Sequence, residues 1–107
     1  MSDTHSWTAD ELLRLLSPCR YRQTLRYLRT NDLASVTELA AAIDDHCRYG
    51  QGLHAEVSHL QHNVLPKLEE QGLLEYDRRS NAVRDRTPEL VGDVLEYIET
   101  LEDRLES

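Results

Sequence analysis

Between Ser58 and Asn63 the chain reads Ser-His-Leu-Gln-His-Asn, so five of six side chains are uncharged hydrogen-bonding groups. Hydroxyl, amide and neutral imidazole groups suit the edges of nucleic-acid bases, met directly or through water. Ser58, His59, Gln61, His62 and Asn63 are therefore the candidate base-reading set, and its histidines would make affinity vary between about pH 6 and 7. Arg78, Arg79, Arg84 and Arg86 follow, four arginines within nine residues. Guanidinium groups on a hairpin can reach phosphates or a narrow minor groove. Each set has a plainer alternative. The polar run can be a solvated face with no ligand, and the arginines can be surface charge paired with Asp77 and Asp85.

Other chemistry finds less support. His59 and His62 stand three apart and His46-Cys47 lies upstream, but neither pair has the ligand spacing of a structural metal site. No metal and no cofactor are expected. There is no Gly-rich phosphate loop, and no nucleophile–base set at recognisable spacing, so an enzyme is not expected. Cys19 and Cys47 form no CxxC pair and read as two free thiols in a reducing compartment.

The polar run sits on a predicted helix over about 53–71. Leu53, Val57, Leu60, Val64 and Leu68 recur at spacings of four, three, four and four, a single buried stripe. The opposite face holds Ala55, Ser58, His59, His62, Pro66 and Glu69, flanked by Gln61 and Asn63. Pro66 should kink the helix and Gly72 should end it. Leu73 to Tyr76 then reads as a strand, and Arg78 to Asn81 as a turn into Ala82-Val83-Arg84. Helix, glycine stop and hairpin are the second half of a winged helix-turn-helix. In that fold this helix enters the major groove.

The remaining chain supplies what that half needs. Thr8 with Glu11, and Ser35 with Glu38, form capping boxes that open two helices. Ser17-Pro18 and Thr87-Pro88 each read as an N-cap followed by proline at the first helical position. Tyr21, Leu25 and Leu28 make the stripe of a helix running to about Thr30, with Arg22, Arg26 and Arg29 aligned along another side, where they can serve DNA or pair with the acidic tail helix of a second copy. Leu33-Ala34-Ser35 is a short first strand. The expected fold is mainly α with a small β-hairpin wing. Residues 1–7 should be a disordered N-terminus, 8–86 the winged helix-turn-helix domain and 87–107 a C-terminal dimerisation helix. Its seam is Val91, Val94, Ile98, Leu101 and Leu105, widened by Leu90, Leu95 and Tyr97. The seam can pack on the first helix or on a second copy, and a homodimer is the expected state.

Composition fits a cytoplasmic protein with no membrane segment, since no run nears the roughly 18 apolar residues of a span. Of 107 residues, 20 are acidic and 12 basic; eleven of the bases are arginine, Lys67 is the one lysine, and phenylalanine is absent. Such a balance resembles that of proteins from extreme halophiles. Molar salt shortens the Debye length to about 3 Å, so a net charge of −8 does not forbid binding to a polyanion there. The acidity is also local. Residues 88–107 hold seven acids and one base, whereas residues 1–87 hold thirteen acids and eleven bases. The tail cannot lie on DNA.

Two segments, LLSPCRYRQTLRYL (Leu15 to Leu28) and LPKLEEQGLLEYDRRSNAV (Leu65 to Val83), resemble the small winged-helix proteins abundant in halophilic archaea. The resemblance covers roughly residues 12 to 85, and the LPKL…EYD segment is its specific part. It implies a DNA-binding transcriptional regulator whose partner is double-stranded DNA. It also implies a structural pair for Arg20, which matches an arginine of the opening motif. The chain departs from its relatives in lacking Arg and Lys between Gly50 and Pro66. A protein-interaction module of the same fold, without DNA binding, is the competing expectation.

Overall fold

A computed structural model describes residues 7–106. The expected disordered segment therefore lies outside the described residues, except for Trp7. The elements run α1 (Ala9–Leu16), α2 (Cys19–Asn31), β1 (Leu33–Ser35), α3 (Val36–His46), α4 (Leu53–His59), a π-helical turn (Leu60–Val64), α5 (Leu65–Glu70), β2 (Leu74–Asp77), β3 (Ala82–Asp85) and α6 (Glu89–Glu106). The fold is mainly helical, with one small antiparallel sheet of order β1-β3-β2. Ala34 and Tyr76 both pair with Val83, and all three point into the core.

Both capping boxes form: Thr8 with Glu11 opens α1, and Ser35 with Glu38 opens α3. The two proline starts differ from expectation by one residue. Ser17 keeps helical geometry at the end of α1, and Pro18 takes the extended N-cap position of α2. Arg22 explains the shift, because its guanidinium donates to the carbonyls of Leu16 and Ser17 and covers the end of α1. Thr87 likewise does not cap α6. Its backbone N–H and its hydroxyl both turn back to Asp85 Oδ1, at 3.0 and 2.6 Å, and α6 begins at Glu89.

The core gathers leucines from α1, α2, α3, the π-helical turn, α5 and α6, among them Leu16, Leu25, Leu39, Leu60, Leu68 and Leu95, all almost fully buried. Burying each such side chain contributes roughly 1.5–3 kcal/mol. Gly72 ends α5 with φ +79°, a conformation that needs no Cβ. Leu53 departs from the predicted stripe and is exposed, as α4 has only just begun there.

The last helix is not an appendage. Val91 and Leu95 are 0% and 1% exposed in the core of their own chain, which removes them from the expected dimer seam. Gly92 faces α2, where a Cβ would meet the movable guanidinium of Arg29 at 2.7 Å. Further along, Glu102 accepts from Arg22 at 2.8 Å and from Arg26 at 3.0 Å. The arginine row thus pairs with the tail of its own chain. Burial alone would raise the Glu102 carboxyl, but hydrogen bonds and charge from Arg26 and Arg22 outweigh it and hold the group below its ordinary value. A carboxylate depressed in this way stabilises the fold above its unfolded pKa, and that contribution is lost as pH falls through the folded one. We expect α6 to loosen as pH drops below about 4.5, before the body unfolds. Hydrogen exchange of the α6 amides reads this directly. Protection that holds until global unfolding, or that is lost identically in Glu102→Gln, would contradict it.

Cys19 and Cys47 are joined in a disulfide, with Cα atoms 5.9 Å apart. This corrects the expectation of two free thiols. Their spacing of 28 residues carries no pairing signal, and only the packing of α2 against α3 brings them together.

Candidate nucleic-acid interface

Buried side chains fix the helix that carries the polar run. Glu56, on the inner side of α4, is fully buried and receives Arg20 in a two-pronged pair, Nε to Oε1 at 2.7 Å and Nη2 to Oε2 at 3.1 Å. The guanidinium also lies 3.7 Å from the Tyr49 ring centroid and donates to Gln51 Oε1 at 3.3 Å. Hydrogen bonding to Glu56 raises the Arg20 pKa, so this cation is permanent. The start of α4 is thereby locked to α2 and to the loop after α3. Arg20 has the structural partner expected of it, and Glu56 was not anticipated.

The helix then widens. Leu60–Val64 form a π-helical turn, closed where the Leu65 N–H donates to the Leu60 carbonyl. Pro66 has no N–H to offer the carbonyl one α-turn before it, so a wide turn ending at Leu65 fits its position. Such turns insert one residue into a helix and re-aim the side chains around it. Gln61, His62 and Asn63 lie within it, between the buried anchors Leu60 and Val64.

Ser58, His62 and Asn63 are exposed, and His59 and Gln61 are half-buried. Asn63 Nδ2 lies 3.4 Å from His59 Nδ1, one turn away. Gln61 Nε2 donates across to the hairpin, to Asn81 Oδ1 at 3.4 Å. Asn81 sits at φ +57°, which asparagine tolerates, and its Oδ1 also accepts from the Tyr76 hydroxyl at 3.2 Å. Its carbonyl accepts from the Val36 N–H at 3.0 Å. One asparagine therefore ties the polar helix, the hairpin and the start of α3 together.

The hairpin arginines divide. Arg78 lies 4.8 Å from the Tyr76 ring centroid and pairs with Glu69 at 3.5 Å. Glu69 is itself committed to the hairpin, accepting from the Tyr76 N–H at 3.2 Å. Arg86 pairs with Glu75 at 3.0 Å, and its hydrogen bond holds that carboxyl below its ordinary value. Arg79 and Arg84 are exposed and make no close ion pair among the described residues, although Arg84 stands opposite Glu75 across the strands and its charge helps hold that carboxyl low. Neither Asp77 nor Asp85 neutralises them: Asp77 accepts from the Arg79 backbone N–H and Asp85 from Thr87.

These stretches share a property that composition alone hides. In a chain with 20 acids, none occurs from Val57 to Leu68 or from Arg78 to Arg84. The Gln61–Asn81 contact joins the two stretches, and Glu69, Glu75 and Asp77 border the hairpin around Arg84. Residues 13–84 match a protein family described as a domain of unknown function, DUF7344. The chain belongs to this family. The DUF7344 match spans nearly all of α1 to β3, so both candidate stretches lie inside it and α6 lies outside. No curated protein and no solved structure matches the chain. Among the described residues of this DUF7344 protein, no three His, Cys, Asp or Glu side chains gather into a possible metal site. None of their helices is long and apolar enough to cross a membrane.

Proposed function

We propose that this is a winged helix-turn-helix domain acting as a sequence-specific, DNA-binding transcriptional regulator. The polar face of α4, the π-helical turn and α5 enters the major groove, and the β2–β3 hairpin lies on the backbone or the minor groove. The observation that supports the reading is the Gln61–Asn81 contact, which joins a polar helix face to an arginine-bearing hairpin along two stretches of sequence without acids. Ser58, His59, His62 and Asn63 are placed to meet base edges, and Arg79 and Arg84 to meet phosphates. The order helix, helix, strand, helix, helix, hairpin supports the fold assignment.

Fluorescence anisotropy with genomic DNA fragments tests it, at low salt and at about 2 M KCl, where non-specific phosphate binding is suppressed. We expect binding to a subset of fragments that survives the higher salt. Arg79→Ala with Arg84→Ala should weaken every complex and reduce the salt slope by about 2, one unit per lost phosphate contact. His62→Ala should instead change which fragment is preferred. Equal losses from both variants on every fragment would contradict these roles. One observation favours a second reading, a protein-interaction module: the helix has no arginine or lysine from Gln51 to Leu65. Absence of DNA binding at any salt would decide for that module.

A further inference from the structure

Helix α6 carries two apolar stripes. Val91, Leu95 and Ile98 turn into the body, and Glu102 continues that line as the partner of Arg22 and Arg26. Leu90, Val94, Tyr97, Leu101 and Leu105 form the other. Four of these five face outwards, with Leu90 58% exposed, Tyr97 64%, Leu101 40% and Leu105 84%. Leu13 of α1, 52% exposed, extends the patch. With Trp7, Leu90, Val94 and Tyr97 it lines a groove of about 440 Å³, at whose edge the exposed Asp93 also stands. Large apolar side chains exposed side by side mark a contact site, where singly scattered ones do not.

We propose that this outward stripe, with Leu13, is the surface on which two copies of the chain pair, their α6 helices antiparallel. The spacing of the stripe identifies the occupant. Leu90 and Leu105 lie equally far on either side of a point between Tyr97 and Ile98, and so do Val94 and Leu101. A two-fold interface requires a patch complementary to itself, and a palindromic stripe on an antiparallel helix pair meets that requirement. Leu90 of one copy then meets Leu105 of the other, Val94 meets Leu101, and the two Tyr97 rings adjoin near the axis. The seam is about 22 Å long at 1.5 Å per residue. Glu89, Glu96, Glu99, Asp103 and Glu106 stay on the solvated sides, all exposed. The same acids exclude a polyanion as occupant, since residues 88–107 hold seven acids and one base. The pairing rests on α6 and α1 alone and is independent of the DNA-binding reading.

Sedimentation equilibrium of the full chain should give a mass of about 25 kDa, twice the 12.4 kDa of one copy. Leu90→Glu with Leu101→Glu should return a single-copy mass while the far-ultraviolet circular dichroism stays unchanged, as both side chains are exposed. Orientation is read by oxidative cross-linking. Leu90→Cys and Leu105→Cys should each fail to link alone and should link when mixed. A chain that remains single across the accessible concentration range leaves the patch to some other occupant and overturns the proposal. So does a dimer that persists in the double glutamate variant, or efficient linking of Leu90→Cys to itself.

Discussion

Replacing Arg20 by alanine should cost about 3–5 kcal/mol of folding free energy, enough to unfold much of a domain of this size. The reason is Glu56. Its carboxylate is 0% exposed, and both oxygens are held by the Arg20 guanidinium. Removing the cation leaves a charge in a site that water does not reach. The Tyr49 ring and Gln51 lose their contacts with the guanidinium at the same time. Arg20→Lys should fall between, because an ammonium cannot reproduce the two-pronged geometry or the stacking. Arg20→Met with Glu56→Leu should be far milder than Arg20→Ala alone, since replacing both members of a buried pair by apolar groups is often near neutral. Urea denaturation of the four proteins decides the matter. A loss below about 1 kcal/mol in Arg20→Ala, or a double variant worse than the single, would show that the pair does not carry the fold.

The same pair bears on function through position rather than contact. Arg20 fixes where α4 starts, and the π-helical turn and its polar side chains follow from that start. Ser58 and His62 have no buried partner of their own to place them. A weakened Arg20–Glu56 lock would therefore blur the candidate DNA-reading face even in molecules that stay folded. Partial-stability variants such as Arg20→Lys should lose sequence preference sooner than they lose total binding.

How much of this was legible in the sequence depended on whether a feature is local. The capping boxes, the first strand, the hairpin and the helix ending at Gly72 are written in residues a few positions apart, and all of them form. Features joining distant segments were not legible. The Cys19–Cys47 bond requires knowing which helices touch, and so does the choice of the chain's own tail, rather than a second copy's, as the partner of Arg22. Glu56 left a signal that was missed. It stands four, eight and twelve residues before Leu60, Val64 and Leu68, on the buried row, where a carboxylate needs a cation. In α6 the period was clear but its phase was not. Val91, Leu95 and Ile98 and the outward stripe beside them are both apolar at helical spacing, and only packing against α2 decides which turns inwards. In the candidate site, the polar and arginine residues were visible by type. Their union through Asn81 was not, since it depends on a left-handed backbone at the end of a turn.

Reducing the disulfide should have the next largest effect, a loss of about 3–4 kcal/mol expected from loop-closure entropy for a spacing of 28 residues. The bond joins the first residue of α2 to the residue capping α3, and so encloses α2, β1 and α3. Its removal frees the unfolded chain more than it disturbs native contacts. The bond also adjoins the buried ion pair: Cys19 precedes Arg20, and Cys47 begins the loop whose Tyr49 and Gln51 touch that arginine. The two devices share one loop, so their losses should not add. Arg20→Ala in reduced protein should cost less than the sum of the separate losses, because the loop that positions Tyr49 and Gln51 is already slack. Urea midpoints of the wild type and of Cys19→Ala with Cys47→Ala, each with and without a dithiol reductant, give the measurement. The double alanine variant should match reduced wild type and ignore the reductant. A wild-type midpoint that does not move on complete reduction, verified by thiol titration, would show that α2 and α3 hold their places by packing alone.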